Sequence, residues 1–148
     1  MTNLEDDLRE FVELLNALKV RYIVVGAFAV AYHGYPRYTG DIDLFVERSE
    51  ENAERLVQVI EKFGFGDLNL SAGDFLQEDQ VMQLGIAPSR IDLLTFLSGV
   101  TFQEAWSTRE NGEINGLMVP FISKEMLKRN KAASGRMQDL ADLQRLGE

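Results

Sequence analysis

The sequence from Tyr22 to Val46 reads YIVVGAFAVAYHGYPRYTGDIDLFV, and this segment decides the fold. An apolar, β-branched run at 22–25 predicts a buried strand, and the alanine-rich segment at 27–32 predicts a short helix. Between them, Gly26 lets the backbone turn tightly, and the N–H groups of the helix start can hold an anion such as a triphosphate. Most glycines in this position only make the turn, so Gly26-Ala27 alone defines no function.

The second strand of this segment, at 41–46, carries two acidic residues. Asp41 and Asp43 alternate with apolar residues, so both carboxylates project from the same face of the strand. Two carboxylates on one side of an apolar strand repel each other, and a divalent cation would relieve that repulsion. The alternative is that they lie at a solvated strand end or cap a helix.

A third aspartate, Asp92, lies in the nearly continuous apolar run RIDLLTFL at 90–97. A carboxylate in such a strand must be paired, bound to a metal or placed at an opening, and a salt bridge with Arg90 is the alternative to a metal site. The glycine turn, the aspartate pair and Asp92 can converge at one edge of a sheet. Three oxygen ligands suit Mg²⁺, and two such ions form the clamp used for nucleotidyl displacement.

The rest of the chain continues to alternate between predicted helices and strands. Strands are predicted at 80–86, 90–97 and 117–122, with a loop over 64–77 and a turn at 87–89. Amphipathic helices are predicted at the following positions: 4–18, about 50–63, 101–106, 124–131 and 137–146. This alternation indicates one α/β or α+β domain over residues 1–148.

The composition restricts the function further. Among 148 residues there is no Cys, so disulfides, thiolate metal clusters and Cys nucleophiles are excluded. No apolar run approaches the roughly 20 residues of a membrane span, and the acidic N-terminus is unlike a signal peptide, so we expect a cytoplasmic protein without a membrane partner. The net charge of −9 argues against unspecific binding along a phosphate backbone. A local basic cluster at 124–136 still permits docking of one RNA end.

Positions 25–46 and the tail NKAASGRMQDLADL at 130–143 together resemble the nucleotidyltransferases of the DNA polymerase beta superfamily. In particular they resemble small stand-alone members related to the nucleotidyltransferase toxins of abortive-infection systems. The resemblance implies a nucleotidyltransferase fold, a mixed β-sheet flanked by helices. It implies that Asp41 and Asp43 bridge two Mg²⁺ ions, that Asp92 holds the catalytic ion and helps to activate the attacking hydroxyl, and that Gly26-Ala27 cradles the phosphates. The family usually has Gly-Ser or Gly-Gly at this turn.

Four further residues are predicted to bind the nucleotide. Arg37 and Thr39 precede the aspartate pair on a loop that would face the triphosphate, although Arg37 could instead pair with a surface acid. Lys131 and Arg136 match the tail of the family and could contact the triphosphate or an RNA acceptor. The alternative for this basic cluster is a solvated helix face.

Other polar residues are assigned structural roles. Asp139 and Asp142 lie three residues apart on one face of the last predicted helix. We expect them to pair with Lys131 or Arg136 rather than to form a second metal site. His33, the single histidine of the chain, is expected to pack at a helix end rather than to act as a general base.

The sequence therefore predicts a Mg²⁺-dependent enzyme. It would transfer a nucleoside monophosphate from an NTP to a hydroxyl acceptor and release pyrophosphate. The acceptor could be a tRNA end, a partner protein or a small molecule such as an aminoglycoside. The alternatives are a non-catalytic nucleotide-binding or antitoxin-type interaction module on the same fold, and metal-dependent hydrolysis.

Overall fold

The alternation of helices and strands predicted from the sequence is present in the structure. The structure is a computed structural model that describes residues 6–34, 41–64, 70–85, 90–114 and 116–146. Within these ranges the elements are α1 Asp6–Ala17, β1 Tyr22–Val25, α2 Gly26–Tyr32, β2 Asp41–Val46, α3 Glu50–Phe63, a 3₁₀ turn Ala72–Phe75, β3 Val81–Leu84, β4 Arg90–Leu94, α4 Phe102–Ser107, β5 Glu110–Ile114, β6 Leu117–Phe121, α5 Lys124–Ser134 and α6 Met137–Leu146.

The strands of the described residues form one mixed sheet of six strands in the order β3-β4-β2-β1-β6-β5. The pairs β1/β2, β3/β4 and β5/β6 are antiparallel, whereas β2/β4 and β1/β6 are parallel. The predicted mixed sheet is therefore confirmed. The two strands that carry the acidic residues, β2 and β4, are neighbours near the middle of the sheet.

The two faces of β2 have different environments. Ile42 and Leu44 are fully buried, whereas Asp41 and Asp43 on the opposite face are only partly buried. All four residues of β1 are buried beside β2, as expected for a strand in the centre of a sheet. This burial sets the register of β2, because a shift by one residue would place both aspartates in the core.

A buried asparagine connects α3 to the sheet. The Asn52 side chain accepts a hydrogen bond from the Arg21 backbone N–H at 2.7 Å and donates to the carbonyls of Arg21 and Glu47, both at 3.0 Å. These bonds satisfy backbone groups at the point where β1 begins and β2 has just ended. They hold the two central strands and α3 in one arrangement.

The structure differs from the sequence expectations at two elements. The sequence pattern did not predict strand β5, which has the polar sequence ENGEI. β5 lies at the edge of the sheet, and an edge strand does not need the apolar run that marks a buried strand. The predicted loop over 64–77 contains the 3₁₀ turn Ala72–Phe75, which begins with a reciprocal capping pair of Ser71 and Asp74 and buries Phe75.

Several element ends also differ from their predictions. Strand β4 ends at Leu94 rather than at 97, and α5 continues to Ser134 rather than ending at 131. Gly135, with φ +67°, ends α5 in the left-handed conformation. The predicted turn at 87–89 lies outside the described residues. No helix in the described ranges is long and apolar enough to cross a membrane.

Candidate active site

Strands β2 and β4 bring the three predicted aspartates together. In their parallel register Asp43 lies opposite Asp92, and Asp41 lies opposite Arg90. Residues that are opposite each other on paired strands project from the same face of the sheet. The carboxylates of Asp41, Asp43 and Asp92 therefore share one face, close to the start of both strands.

The carboxyl group of Asp43 is the most perturbed member of this cluster. Burial, followed by the charge of Asp92 and a hydrogen bond with its side chain, raises the pKa of Asp43 from 3.8 to about 7. The charge of Asp41 acts in the same direction, and Arg90 opposes it only weakly. Asp43 thus occupies a position where a proton or another cation is strongly favoured.

Arg90 contacts the other two carboxylates of the cluster. Its Nη2 lies 3.2 Å from Asp41 Oδ2, and its Nε donates to Asp92 Oδ1 at 2.9 Å. A second hydrogen bond joins Nη2 to Asp92 Oδ2 at 3.2 Å, so the guanidinium binds Asp92 through two nitrogens. The salt bridge that the sequence left open as an alternative for Asp92 is therefore present, within the same cluster as Asp43.

The turn at Gly26 passes directly against Asp43. Gly26 adopts φ +69°, in the left-handed region that favours glycine. A Cβ atom at this position would overlap the Asp43 carboxylate and would lie 3.1 Å from the Asp43 Cβ. Gly26 is thus required both by the backbone conformation and by its closeness to the acidic cluster. Ala27 follows it in the first turn of α2 and is partly buried.

A cleft of about 420 Å³ joins this turn to the end of α5. Gly26 and Asp43 line one part of it, and Lys131, Ser134 and Arg136 line another. The cleft therefore brings Gly26 and Asp43 together with Lys131 and Arg136, which lie about a hundred positions later in the chain.

The remaining predicted site residues are placed differently. Among the described residues, those that line the cleft do not include Asp41, Asp92 or Ala27. Asp41 and Asp92 lie beside Asp43, which does line the cleft: Asp41 is on the same strand and Asp92 is opposite Asp43 on β4. Arg37 and Thr39 lie outside the described residues.

Lys131 is buried in an ion-pair network between α5 and α6. Its side chain is only 7% exposed, and Nζ lies 3.1 Å from Asp139 Oδ1 and 3.3 Å from Asp142 Oδ2. Arg136 Nε also binds Asp139, at 2.7 Å, while its side chain is 79% exposed. The expected pairing of Asp139 and Asp142 with these basic residues is confirmed. Lys131 is neutralised by two acids, whereas Arg136 extends toward solvent.

The electrostatics of Asp139 agree with this network. Burial alone would raise the pKa of Asp139, but hydrogen bonds from Arg136, Ser134 and Lys131 outweigh it and lower the pKa to about 2. Asp139 is therefore charged at neutral pH and holds the cations of the cleft wall in place.

His33 lies away from this cleft. Its Nε2 is 2.8 Å from the carbonyl oxygen of Ile122, and its ring packs against Tyr32. The predicted packing role at a helix end is confirmed.

A second and larger cavity, of about 680 Å³, lies toward the other end of β2. Its wall combines aromatic rings, acidic groups and two arginines, with these members: Phe45, Phe96, Phe102, Trp106, Glu47, Glu78, Asp79, Arg21 and Arg48. Phe96 and Leu97 line both cavities, so they form the wall between the smaller cleft and this larger cavity.

The sequence alone missed Phe96 and Ser134 as residues of the site and treated Arg90 only as an alternative partner of Asp92. The signal for Arg90 was its position two residues before Asp92, which places both side chains on one face of a strand. Phe96 gave no such signal, because an apolar residue in an apolar run reads as core.

Solved structures of nucleotidyltransferases share this fold. A putative nucleotidyltransferase from Thermotoga maritima is 18% identical, with a TM-score of 0.61, over 93% of this chain and 88% of that one. The lincosamide antibiotic adenylyltransferase LnuA, bound to lincomycin, is 17% identical with a TM-score of 0.61, over 100% and 99%. An antigenic nucleotidyltransferase-like protein from Paracoccidioides brasiliensis is 18% identical with a TM-score of 0.57, over 97% and 77%. At these identities the likeness shows the fold alone.

The match of a family model to nearly the whole described chain, rather than these structures, defines the class of protein, a nucleotidyltransferase. Within this class the chain belongs to the aminoglycoside-2''-adenylyltransferase family, whose model matches residues 7–146. No curated protein matches the sequence. The prediction of an enzyme with nucleotidyltransferase activity is confirmed. The relation to nucleotidyltransferase toxins and the extent of the domain over 1–148 stay predictions.

Proposed function

We propose that this enzyme transfers AMP from ATP to a hydroxyl group of a small-molecule antibiotic, in a reaction that depends on a divalent cation. The observation that carries the proposal is the register that sets Asp43 opposite Asp92, with the Gly26 turn packed against Asp43. We take the adenylyl group and the class of acceptor from two comparisons: the name of the matching family, and the lincosamide adenylyltransferase that shares the fold.

The donor set of the acidic cluster fits Mg²⁺. Asp41, Asp43 and Asp92 offer carboxylate oxygens, the ligands that this hard cation prefers. The raised pKa of Asp43 supports the proposal, because burial and the negative charges of its neighbours disfavour its own charge. Among the described residues no three acids already surround one point, and Arg90 contacts two of the three instead. Bound there, Mg²⁺ would supply positive charge to the phosphate oxygens.

The chain's own groups have distinct tasks in the proposed reaction. Asp92 accepts the proton of the acceptor hydroxyl, whose oxygen forms a bond to the α-phosphorus of ATP. The bond from that phosphorus to the bridging oxygen breaks, and pyrophosphate leaves. Gly26 lets the phosphates approach the backbone, and the exposed Arg136 offers a cation to their charge.

The second cavity is the proposed acceptor site. It shares the wall residues Phe96 and Leu97 with the cleft beside Gly26 and Asp43, so the two spaces are adjacent. Three acids and two arginines line it, and Glu47 and Glu78 are paired with Arg21 and Arg48, so its excess of negative charge is small. Its aromatic residues offer apolar contact and cation–π partners to an acceptor with amino groups. The net charge of −9 acts in the same direction, because it attracts a polycation and repels RNA.

Transfer of label tests this proposal. The protein is incubated with Mg²⁺, α-labelled ATP and, separately, an aminoglycoside, a lincosamide, total RNA or no acceptor. We expect label on one of the antibiotics and none on RNA or on the protein. Label on RNA would overturn the proposed acceptor class, and no transfer from ATP to any of these acceptors would overturn the proposed reaction.

Variants of the acidic cluster make the test specific. Asp92→Asn is expected to lower transfer about a hundredfold or more, since it removes the proposed proton acceptor. Glu113→Gln, an exposed acidic residue of the edge strand β5, removes the same charge and should leave the rate unchanged. Equal rates for the two variants would contradict the role of Asp92.

A further inference from the structure

We propose that Arg90 is an internal counter-cation of the acidic cluster: it holds Asp41 and Asp92 in the absence of substrate, so that a divalent cation binds tightly only together with a nucleotide. This inference rests on the proposed function, because it assumes that Asp41, Asp43 and Asp92 bind the cation. It assigns a positioning role to a residue that does not need to touch the substrate.

The contacts of Arg90 carry the inference. One guanidinium lies within 3.2 Å of both Asp41 and Asp92, and three of its nitrogen–oxygen distances are 2.9 to 3.2 Å. The side chain is placed there by the strand itself, since Arg90 lies opposite Asp41 in the register and two residues before Asp92. The guanidinium therefore occupies the space between two of the oxygen ligands that a metal ion would need.

Charge explains why this arrangement weakens binding of the cation alone. A divalent cation among the three aspartates would lie close to the positive charge of Arg90. The oxygens of Asp92 already accept hydrogen bonds from Arg90, and Asp41 is ion-paired with it. Both effects oppose binding.

A nucleotide changes this balance. The triphosphate adds several negative charges and further oxygen ligands beside the cluster, so the site can hold Arg90 and the divalent cation together. The role of Arg90 in this balance is its charge, which needs no direct contact with the phosphate oxygens. The outcome is ordered loading, in which the cation enters with its nucleotide.

Binding of Mn²⁺ to the purified protein tests the inference without any measurement of turnover. Free Mn²⁺ is followed by electron paramagnetic resonance in wild type, Arg90→Gln, Arg90→Lys and Arg55→Gln. Arg55 is the matched control, because its side chain is 36% exposed and pairs with Glu51 on the helix α3, outside the acidic cluster. Loss of Arg55 changes the net charge of the protein as much as loss of Arg90.

We expect Arg90→Gln to bind Mn²⁺ alone roughly tenfold more tightly than wild type, which corresponds to about 1.4 kcal/mol. Arg90→Lys and Arg55→Gln should resemble wild type. A merely structural role for Arg90 would weaken Mn²⁺ binding when the arginine is removed, so a gain of affinity is diagnostic. Affinity of Arg90→Gln equal to or weaker than that of wild type overturns the inference, and an equal gain in Arg55→Gln overturns it too.

A second titration separates this inference from the proposed function. The complex of Mn²⁺ with a non-hydrolysable ATP analogue is titrated into the same four proteins by calorimetry. If wild type binds this complex but Arg90→Gln shows no gain for Mn²⁺ alone, the inference is wrong and the proposed metal site stands. If wild type binds neither Mn²⁺ nor the complex, the proposed metal site is wrong, and the inference with it.

Discussion

Asp43 on β2 lies directly opposite Asp92 on β4 in the parallel register of the two strands. Their strands are neighbours and parallel, although 49 positions separate Asp43 from Asp92 in the numbering of the chain. The pairing places two acidic groups side by side, and burial together with the charge of Asp92 raises the pKa of Asp43. This relationship is the centre of the candidate active site.

The pKa of Asp43 predicts the pH dependence of stability in the metal-free protein. The folded-state pKa of about 7 lies above the ordinary value of 3.8, so the folded protein holds an extra proton between these pH values. The contribution of Asp43 to the free energy of unfolding therefore falls as the pH rises from 3.8 to about 7, and it is constant above that range. Urea unfolding in EDTA at pH 5 and pH 8 measures the change.

The variant Asp43→Asn isolates this contribution. It removes the titrating group, so we expect it to be more stable than wild type at pH 8 and close to wild type at pH 5. Glu113→Gln, on the exposed edge strand, should follow the wild-type curve at both pH values. A lower stability of Asp43→Asn at pH 8 would contradict the described environment of Asp43.

The pH dependence of cation binding follows from the same group. A divalent cation must displace the proton of Asp43, so Mg²⁺ should stabilise the protein more at pH 8 than at pH 5.5 when it is added with a non-hydrolysable ATP analogue. Thermal unfolding with and without the ligands measures both shifts. An equal shift at the two pH values would place the bound cation away from Asp43.

Gly26→Ala tests the close approach of the glycine turn to the acidic cluster. The added Cβ meets the Asp43 carboxylate and the backbone is held at φ +69°, so we expect a loss of stability of about 2–3 kcal/mol. Gly64→Ala is the matched control. Gly64 has φ +108° but no atom within 4 Å of an added Cβ, so only about 1 kcal/mol is expected there.

A double variant separates the steric part of this effect. In Gly26→Ala with Asp43→Ala the obstructing carboxylate is absent, so the combined loss should be smaller than the sum of the single losses. Additive losses would show that backbone strain alone explains the requirement for glycine.

Lys131→Met tests the buried network that supports the cleft wall. It leaves the buried carboxylates of Asp139 and Asp142 without their shared cation, and we expect a loss of about 3 kcal/mol in the free energy of unfolding. Lys128→Met, on the same helix and only partly buried, should change stability by less than about 0.5 kcal/mol. Equal losses would indicate that helix α5, rather than the network, is responsible.

The strand–turn–helix at 22–32 and the strand at 41–46 could be predicted because their signals are local. Apolar, β-branched runs end at a glycine, and the alternation of Asp41 and Asp43 with apolar residues fixes which face they share. Strand β5 could not be predicted in the same way, because a polar edge strand is formed by pairing with β6 rather than by its own pattern.

Local sequence patterns could not predict which residues meet in the candidate active site, because these residues are brought together by long-range pairing of strands and packing of helices. That Asp92 would lie opposite Asp43 follows from the parallel pairing of β2 with β4. The sequence allowed the aspartates to converge at one edge of a sheet, but no local pattern fixes this long-range register. The double contact of Arg90 with Asp41 and Asp92 depends on the same register. The neutralisation of Lys131 required the packing of α5 against α6, although the pairing itself was expected from helical spacing.

The most direct test of the account is the position of the cation. Crystals grown with Mn²⁺ and a non-hydrolysable ATP analogue are measured at a wavelength where manganese scatters anomalously. The account predicts anomalous peaks at the carboxylate oxygens of Asp43 and Asp92, with the triphosphate beside Gly26. Peaks elsewhere, with Arg90 still bound to Asp41 and Asp92, would contradict it.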